Sequence, residues 1–379
     1  MSRDSPPKPL ARGLWESVPV PIPSQDDLST PYLVVDLEVL DKNVTTMAAL
    51  ARDRGLSLRP HAKTHKCLEI AARQLNAGAA GITVATVSEA EVFVAGGCRD
   101  VFIAYPLWVD PARGERLRSL AARCSLRIGV DSAEGAEMLA RNTAGGGAFE
   151  VMIEIDSGHH RTGVAPDAAG DLALAAVGAG LCVRGLFTFP GHGYGPSLAG
   201  PAAADEARAL AGAASSLQAA GVDVQVLSGG STPTATLTKA GSVTEIRPGI
   251  YVFGDAQQLE LGSCAIDQIA LTAAATVVSR APGRVVLDAG SKILGADRPA
   301  WTTGYGRLAD HPDARVSALS EHHATVTWPS TSVLPELGTV LRVVPNHVCS
   351  AVNLADELVV VAGGAMVDRW RVAARGANS

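Results

Sequence analysis

Eight short β-rich runs, each followed by a helix-like stretch or a turn cluster, constrain this chain more than any other feature. They are Pro31–Asp36, Leu58–His65, Gly81–Thr86, Val101–Tyr105, Leu126–Asp131, Glu150–Asp156, Val183–Phe189 and Val224–Ser228. Between them lie periodic segments such as Leu37–Arg54, Lys66–Ala77, Glu89–Gly96, Ala133–Asn142 and Ala202–Ala220. Strands alternating with helices at this spacing form parallel βα units. Eight units in about 220 residues predict a (β/α)8 barrel of TIM type. An open doubly wound sheet is the competing arrangement.

Beyond about residue 260 the helical period fades. Leu271–Ser279, Arg284–Leu287, Ala324–Trp328, Thr339–Val344 and Glu357–Val361 read as strands between Gly and Pro turns. The 379 residues are therefore expected to divide in three. Residues 1–28 form an N-terminal segment packing on the β domain, 29–259 form the barrel, and 260–379 form a C-terminal all-β domain.

Composition excludes several classes. At 47% hydrophobic and 18% charged residues, the chain is globular and not disordered. A net charge of −6 argues against a nucleic-acid partner, which needs a broad basic face. The longest apolar stretches, Leu172–Val183 and Leu358–Val367, are too short to span a membrane. The first 25 residues show no apolar run of the secretory type. Six cysteines stand singly at 67, 98, 124, 182, 264 and 349, which fits reduced thiols in a cytoplasm.

Reactive groups in a barrel gather at the C-terminal ends of the strands. The chain has six lysines, so an amine nucleophile has few candidates. Lys63, in Arg59-Pro-His-Ala-Lys63-Thr-His65-Lys66, sits at such an end, with Lys66 as its rival. A buried amine with a lowered pKa forms Schiff bases. On the far side, Ser228-Gly-Gly230-Ser231-Thr232 is a small-residue turn running toward a helix. Its backbone amides and hydroxyls suit a phosphate; the alternative is a Gly/Ser loop with no ligand. Gly249 and Tyr251 add an amide and a phenol to the same place. An amine facing a phosphate cradle points to pyridoxal phosphate.

His347 and Cys349 are two residues apart. In a strand, i and i+2 share a face, so both side chains grip one ion. Imidazole and thiolate suit zinc. The alternative is a buried histidine beside a buried cysteine.

These motifs resemble the fold-type III pyridoxal phosphate enzymes, specifically the D-threonine aldolase and D-serine dehydratase group within the alanine racemase superfamily. The likeness runs through Arg59-Pro-His-Ala-Lys63-Thr-His65, Asp156-Ser-Gly-His-His-Arg161-Thr-Gly, Ser228-Gly-Gly-Ser-Thr-Pro-Thr, Arg247-Pro-Gly-Ile-Tyr251 and Pro345-Asn-His347-Val-Cys349. It covers nearly the whole chain. It implies a barrel, a β domain and a homodimer acting on a small D-amino acid. By this resemblance Lys63 carries the cofactor as a Schiff base and is catalytic. Arg161 lies near the cofactor's phenolic oxygen. Gly230, Ser231, Thr232, Gly249 and Tyr251 hold the phosphate, and Tyr194 or His192 faces the ring. His347 and Cys349 bind Zn2+, or alternatively Mn2+ or another divalent cation, with Glu321, His322 or His323 nearby.

The expected activity is a pyridoxal-phosphate- and zinc-dependent dehydratase, or ammonia-lyase. It converts a D-3-hydroxy amino acid such as D-serine to a 2-oxo acid and ammonia. His-x-Cys accompanies dehydration in this group, whereas His-x-Asp accompanies cleavage to glycine and an aldehyde, the D-threonine aldolase reaction that is the alternative. An amino-acid racemase and a non-catalytic pyridoxal-phosphate-binding protein are the further rivals.

Overall fold

The computed structural model describes residues 28–379, apart from 148 and 240. The segment expected to pack on the β domain thus lies almost wholly outside the described residues. Two sheets organise the rest. The chain is an eight-stranded parallel TIM-like barrel joined to a predominantly antiparallel β domain.

The first strand, β1 (Tyr32–Asp36), leads into helix α1 (Leu37–Asp53), which starts where the Asp36 carboxylate accepts from the Val39 amide. The barrel follows as β2 (Ser57–Leu58), α2 (Leu68–Asn76), β3 (Ile82–Val84), α3 (Val87–Ala95), β4 (Asp100–Pro106), α4 (Pro111–Ala121), β5 (Ser125–Val130), α5 (Ala133–Thr143), β6 (Glu150–Glu154), α6 (Ala169–Gly178), β7 (Cys182–Phe187), α7 (Ala199–Ala219), β8 (Val226–Gly229), β9 (Glu245–Ile246) and α8 (Ala256–Leu261). Thr86, Asp110 and Ser132 cap α3, α4 and α5 with side-chain oxygens.

The parallel ladder runs β2-β9-β8-β7-β6-β5-β4-β3. The Ala80 amide to Leu58 carbonyl bond (2.8 Å) and the Thr83 amide to Pro60 carbonyl bond (2.8 Å) bring β3 back to β2. The barrel is closed in this way, and the open doubly wound alternative is set aside.

Two strand expectations are corrected. Tyr32–Asp36 is not a barrel strand: it pairs with strands of the other sheet. Its burial alternates, with Leu33 and Val35 inside and their neighbours only partly covered. A barrel strand is covered on both faces, as Val101–Ile103 are. The missing eighth strand is β9, whose two residues carry no period to read. Leu58–His65 also shortens: only its start is strand, and Ala62–Thr64 forms a single 3-10 turn.

The second sheet contains β10 (Leu271–Ala281), β11 (Arg284–Leu287), the short helix α9 (Ser291–Leu294), β12 (Gly306–Leu308), β13 (Arg315–Leu319), β14 (Ala324–Thr327), β15 (Val340–Pro345), α10 (Val348–Leu354), β16 (Glu357–Ala362) and β17 (Ala365–Arg371). The strand order is β11-β14-β13-β12-β15-β10-β1-β16-β17, and β11 also pairs with β10. Six strands therefore close on themselves, while β1, β16 and β17 extend from one half of the long β10.

Each sheet has its own apolar core. Helix α1 serves both: Leu40 and Val44 join the second core, and Ala48 and Ala51 the barrel core. Inside the barrel the packing is partly ionic. Arg59 bonds Glu245 at 2.7 Å and Asp100 at 2.7 Å, and Arg127 reaches Glu245 at 3.3 Å. Among the described residues, no helix is long and apolar enough to cross a membrane.

Candidate active site

A cavity of about 440 Å³ opens at the C-terminal ends of the barrel strands, where the second sheet meets them. Of the residues singled out in the sequence, Lys63, Arg161, Tyr194, Gly230, Ser231, Gly249, His347 and Cys349 line it. His192, Thr232 and Tyr251 do not. The His192 ring bonds Asp205 at 3.2 Å. The Tyr251 phenol accepts from Gln74 at 3.0 Å, and the Tyr251 amide donates to the Thr232 hydroxyl at 3.1 Å. Glu321, His322 and His323 sit on an exposed turn and do not line the cavity.

Lys63 projects from the 3-10 turn Ala62–Thr64. Burial lowers its pKa; Arg161 and Arg247 add to the shift, and Cys349 and Glu89 oppose it. Its amine lies 5.8 Å from the centre of the Phe189 ring, which the Arg161 guanidinium also faces at 5.2 Å. Lys66 is placed differently. It is buried, paired with Glu89 at 3.3 Å, and absent from the cavity wall.

Gly249 packs against this turn. A Cβ there would lie 2.6 Å from the Thr64 hydroxyl, so a larger residue would displace the lysine turn.

The small-residue turn after β8 runs into short turns over Thr232–Leu237 and not into a helix. No macrodipole therefore stands behind it. Gly230 adopts a left-handed φ of 73°, and its amide donates inward to Glu206 at 2.7 Å. The Ser231 amide donates to the Thr234 hydroxyl at 2.9 Å. Neither amide is free for an anion. Ser231, Gly249 and Ile250 line the cavity, with the Ser231 hydroxyl 3.0 Å from that of Thr234.

His347 and Cys349 come together, but not as strand neighbours. β15 ends at Pro345, His347 is the N-cap of α10, and Cys349 lies in its first turn. The His347 Nδ1 atom lies 3.4 Å from an Asp255 carboxylate oxygen and makes no hydrogen bond. Burial works against a charged His347 ring, but Cys349 and Asp255 outweigh it and hold its pKa well above the ordinary imidazole value. For Cys349 burial pushes the thiol up, yet His347 and Lys63 bring it below its usual value. Among the described residues, no group of three or more His, Cys, Asp or Glu is arranged to hold a metal ion. An imidazole nitrogen and a soft thiolate sulfur on one wall fit an ion that keeps open positions for substrate and water.

Among the lining residues given no role from the sequence, four stand out: His61, Glu154, Arg247 and Tyr105. His61 is held neutral: burial, then Lys63 and Arg247, lower its pKa well below the usual imidazole range. Its Nδ1 is buried without a partner. Glu154, at the end of β6, bonds the Thr162 hydroxyl through one oxygen at 2.9 Å. Its other oxygen is buried and unpartnered, and burial pushes its pKa to about 7. Arg247 donates to the Ser228 hydroxyl and the Thr188 carbonyl, both at 2.6 Å, between the Phe102 and Phe187 rings. Tyr105 stands half-exposed at the mouth. His61 and Arg247 were in the quoted motifs; nothing in the local pattern marked Glu154 or Tyr105.

Unpartnered polar atoms turned inward, an amine with a lowered pKa and a hydroxyl at the far end match a polar, anionic aldehyde cofactor.

Residues 35–257 match the alanine racemase N-terminal domain family, and residues 270–361 the serine dehydratase domain family. A D-threonine aldolase from Arthrobacter sp. is 36% identical, covering 97% of this chain and 98% of its own length. A D-threo-3-hydroxyaspartate dehydratase from Delftia sp. HT23 is 34% identical, covering 90% and 97%. Among solved structures, the D-threonine aldolase from Filomicrobium marinum superposes with a TM-score of 0.85 at 32% identity, covering 94% of this chain and 100% of that one. The Delftia dehydratase superposes with a TM-score of 0.84 at 33% identity, covering 92% and 98%. A D-threo-3-hydroxyaspartate dehydratase carrying a cysteine-to-alanine mutation, solved in a metal-free form, matches as well (TM-score 0.84, 32% identity, 92% and 99% covered).

Proposed function

The chain belongs to the family of fold-type III pyridoxal phosphate enzymes that join an alanine racemase N-terminal domain to a serine dehydratase domain, and from that premise we propose that it is a metal-assisted D-3-hydroxy amino acid dehydratase. The substrate class includes D-serine, and the products are a 2-oxo acid and ammonia. The observation that carries the reading is the shared cavity: Lys63 from the barrel and the His347–Cys349 pair from the β domain face one space.

Pyridoxal phosphate held there supplies an electron sink for charge developing at Cα, and a divalent ion, read as zinc, supplies Lewis acidity toward a β-hydroxyl. The chain's own residues do the rest. Lys63 is the anchor and, once freed, the base that takes the Cα proton; burial keeps its amine closer to neutrality than an exposed lysine. Arg161 presents a cation beside it. Ser231 and the Gly249 backbone receive the phosphate. Tyr194 closes one wall, its phenol kept protonated by burial. His347 and Cys349 are the residues that would hold the ion on the wall facing Lys63. Proton and hydroxyl depart together as water, and the released enamine hydrolyses to the 2-oxo acid and ammonium.

Cys349 favours dehydration over aldol cleavage, because a thiolate selects zinc over a harder ion such as manganese. The aldolase reading keeps equal support from the relatives, since both activities occur among them at similar identity. Racemisation finds less: it needs a second base, in alanine racemases commonly a tyrosine of the partner's β domain, and past residue 260 the chain offers only Tyr305. A homodimer in a reducing cytoplasm completes the proposal, supported by six free cysteines and by exposed Tyr105 and Trp108 beside the mouth.

The test is product analysis with D-serine, D-threonine and D-3-hydroxyaspartate, each with zinc and with manganese. A 2-oxo acid with ammonia supports dehydration. Glycine and an aldehyde without 2-oxo acid would replace it with the aldolase.

A further inference from the structure

After β17 the chain does not trail into solvent. Ala374 is fully buried within the barrel core, and Ala377 packs against it. The Ala374 amide donates to the Lys66 carbonyl at 3.0 Å. The Lys66 ammonium donates to the Asn378 side-chain oxygen at 3.0 Å and pairs with Glu89 at 3.3 Å. The Thr86 hydroxyl donates to the Ala377 carbonyl at 2.8 Å, and the Ser88 amide to the Ser379 carbonyl at 2.9 Å.

The segments gripped are specific. Lys66 lies one turn beyond Lys63, and its φ of 49° places a non-glycine residue in the left-handed region. That conformation is strained for a residue with a side chain and persists only where surrounding contacts hold it. The hold includes the Lys66 amide bond to the Ala62 carbonyl at 2.8 Å and the tail's bond to the Lys66 carbonyl. Glu89, the partner of the Lys66 ammonium, accepts from the Ala85 amide at 2.7 Å, and Ala85 lines the cavity. A short 3-10 turn has few bonds of its own with which to fix a reactive side chain.

We propose that residues 374–378, which extend from the β domain, form a clasp on the barrel mouth that positions Lys63, with Lys66, Glu89 and Asn378 as its positioning residues. The clasp, with Ser379, bonds Lys66, just after the lysine turn, and Thr86 and Ser88 at the start of α3. It restrains the turn's backbone and keeps water from its inner side. The inference rests on Lys63 being the cofactor anchor.

Asn378 is exposed, so Asn378→Ala leaves the core intact; Lys66→Met and Lys66→Arg complete the set. Two readouts are taken: the dissociation constant for pyridoxal phosphate with the rate of borohydride trapping on Lys63, and, in cofactor-free protein, the pH midpoint of Lys63 acylation measured by mass spectrometry. The amine's charged neighbours in that titration are Cys349, Arg161, Glu89 and Arg247. For Asn378→Ala and Lys66→Met we expect about tenfold weaker retention, the scale of one lost charged hydrogen bond. The labelling midpoint should move up toward the ordinary lysine value, and Lys66→Arg should recover most of both effects. Retention and midpoint unchanged from wild type in Asn378→Ala and Lys66→Met would overturn the clasp. Wild-type protein that traps no cofactor on Lys63 would instead overturn the anchor assignment, and the labelling midpoint would still decide the clasp.

Discussion

The Cys349 sulfur lies 3.4 Å from the Thr64 hydroxyl. The first turn of α10 therefore touches the turn that presents Lys63, across the junction of the two sheets. A ligand of either residue feels the other, and the two separate experimentally.

Cys349→Ala removes the proposed metal donor without removing the amine. We expect protein purified from zinc-supplemented medium to lose its tightly bound divalent ion by elemental analysis, with a 10- to 100-fold or greater loss of turnover, roughly the scale seen when a metal site's supporting ligands are cut. Pyridoxal phosphate should stay bound. Full metal content in Cys349→Ala would dissociate this residue from the ion.

Lys63→Ala should yield protein with no borohydride-reducible cofactor, while Lys66→Ala should still trap it, because the Lys66 ammonium is buried against Glu89. Peptide mapping of the reduced adduct distinguishes the two directly. An adduct on Lys66 would reverse the assignment.

Glu154 and Glu206 are both pushed to about 7 by burial. Their folded pKa values lie above the unfolded ones, so the stability they contribute is present below about pH 4.5 and is lost as pH rises through about 7. Glu154→Gln removes one of the two titrations. In cofactor-free protein, its Tm relative to wild type should rise between pH 5 and pH 8. A Tm difference that is flat across that range would mean that Glu154 does not titrate there.

Glu245 behaves in the opposite sense. Burial raises its pKa, but Arg59, Ser228 and Arg127 outweigh that and bring it below the usual carboxylate value. Its contribution is present above the unfolded pKa and is lost as pH falls through the lower folded value. Glu245→Ala leaves Arg59 buried beside an empty position, and breaking such a pair costs about 3–5 kcal/mol. Urea denaturation measures the loss; a change below about 1 kcal/mol would show that Asp100 alone holds Arg59.

The motifs were legible because their chemistry sits in contiguous residues: Arg59–His65 and Pro345–Cys349 each display their functional groups within a few positions. The β/α alternation was legible because both periods are local. Pairing partners were not. Nothing within Tyr32–Asp36 says that its neighbours are Leu271–Ala274 and Val359–Val361, although its alternating burial distinguishes it from a strand covered on both sides. The helical start was hidden because the cap position is His347, which makes no side-chain cap bond, while the cap-favouring Asn346 stands one residue before it. Glu154 sits inside an apolar strand, where only the third dimension shows that its carboxylate turns toward the cavity.

The placement of β1 sets an order of events during synthesis. Tyr32–Asp36 is made before the barrel strands, yet it pairs with β10 more than 230 positions later and with β16 beyond that. The β domain cannot close until nearly the whole chain is available, and contacts of such long range slow folding. Because His347 and Cys349 lie just before β16, the wall proposed to hold an ion joins Lys63 only near the end of assembly. A nascent chain that has made only the barrel strands would hold the lysine before it holds that wall, or the tail that packs Ala374 into the barrel core. The cofactor's reactivity toward amino acids would then be confined to molecules that have completed both sheets.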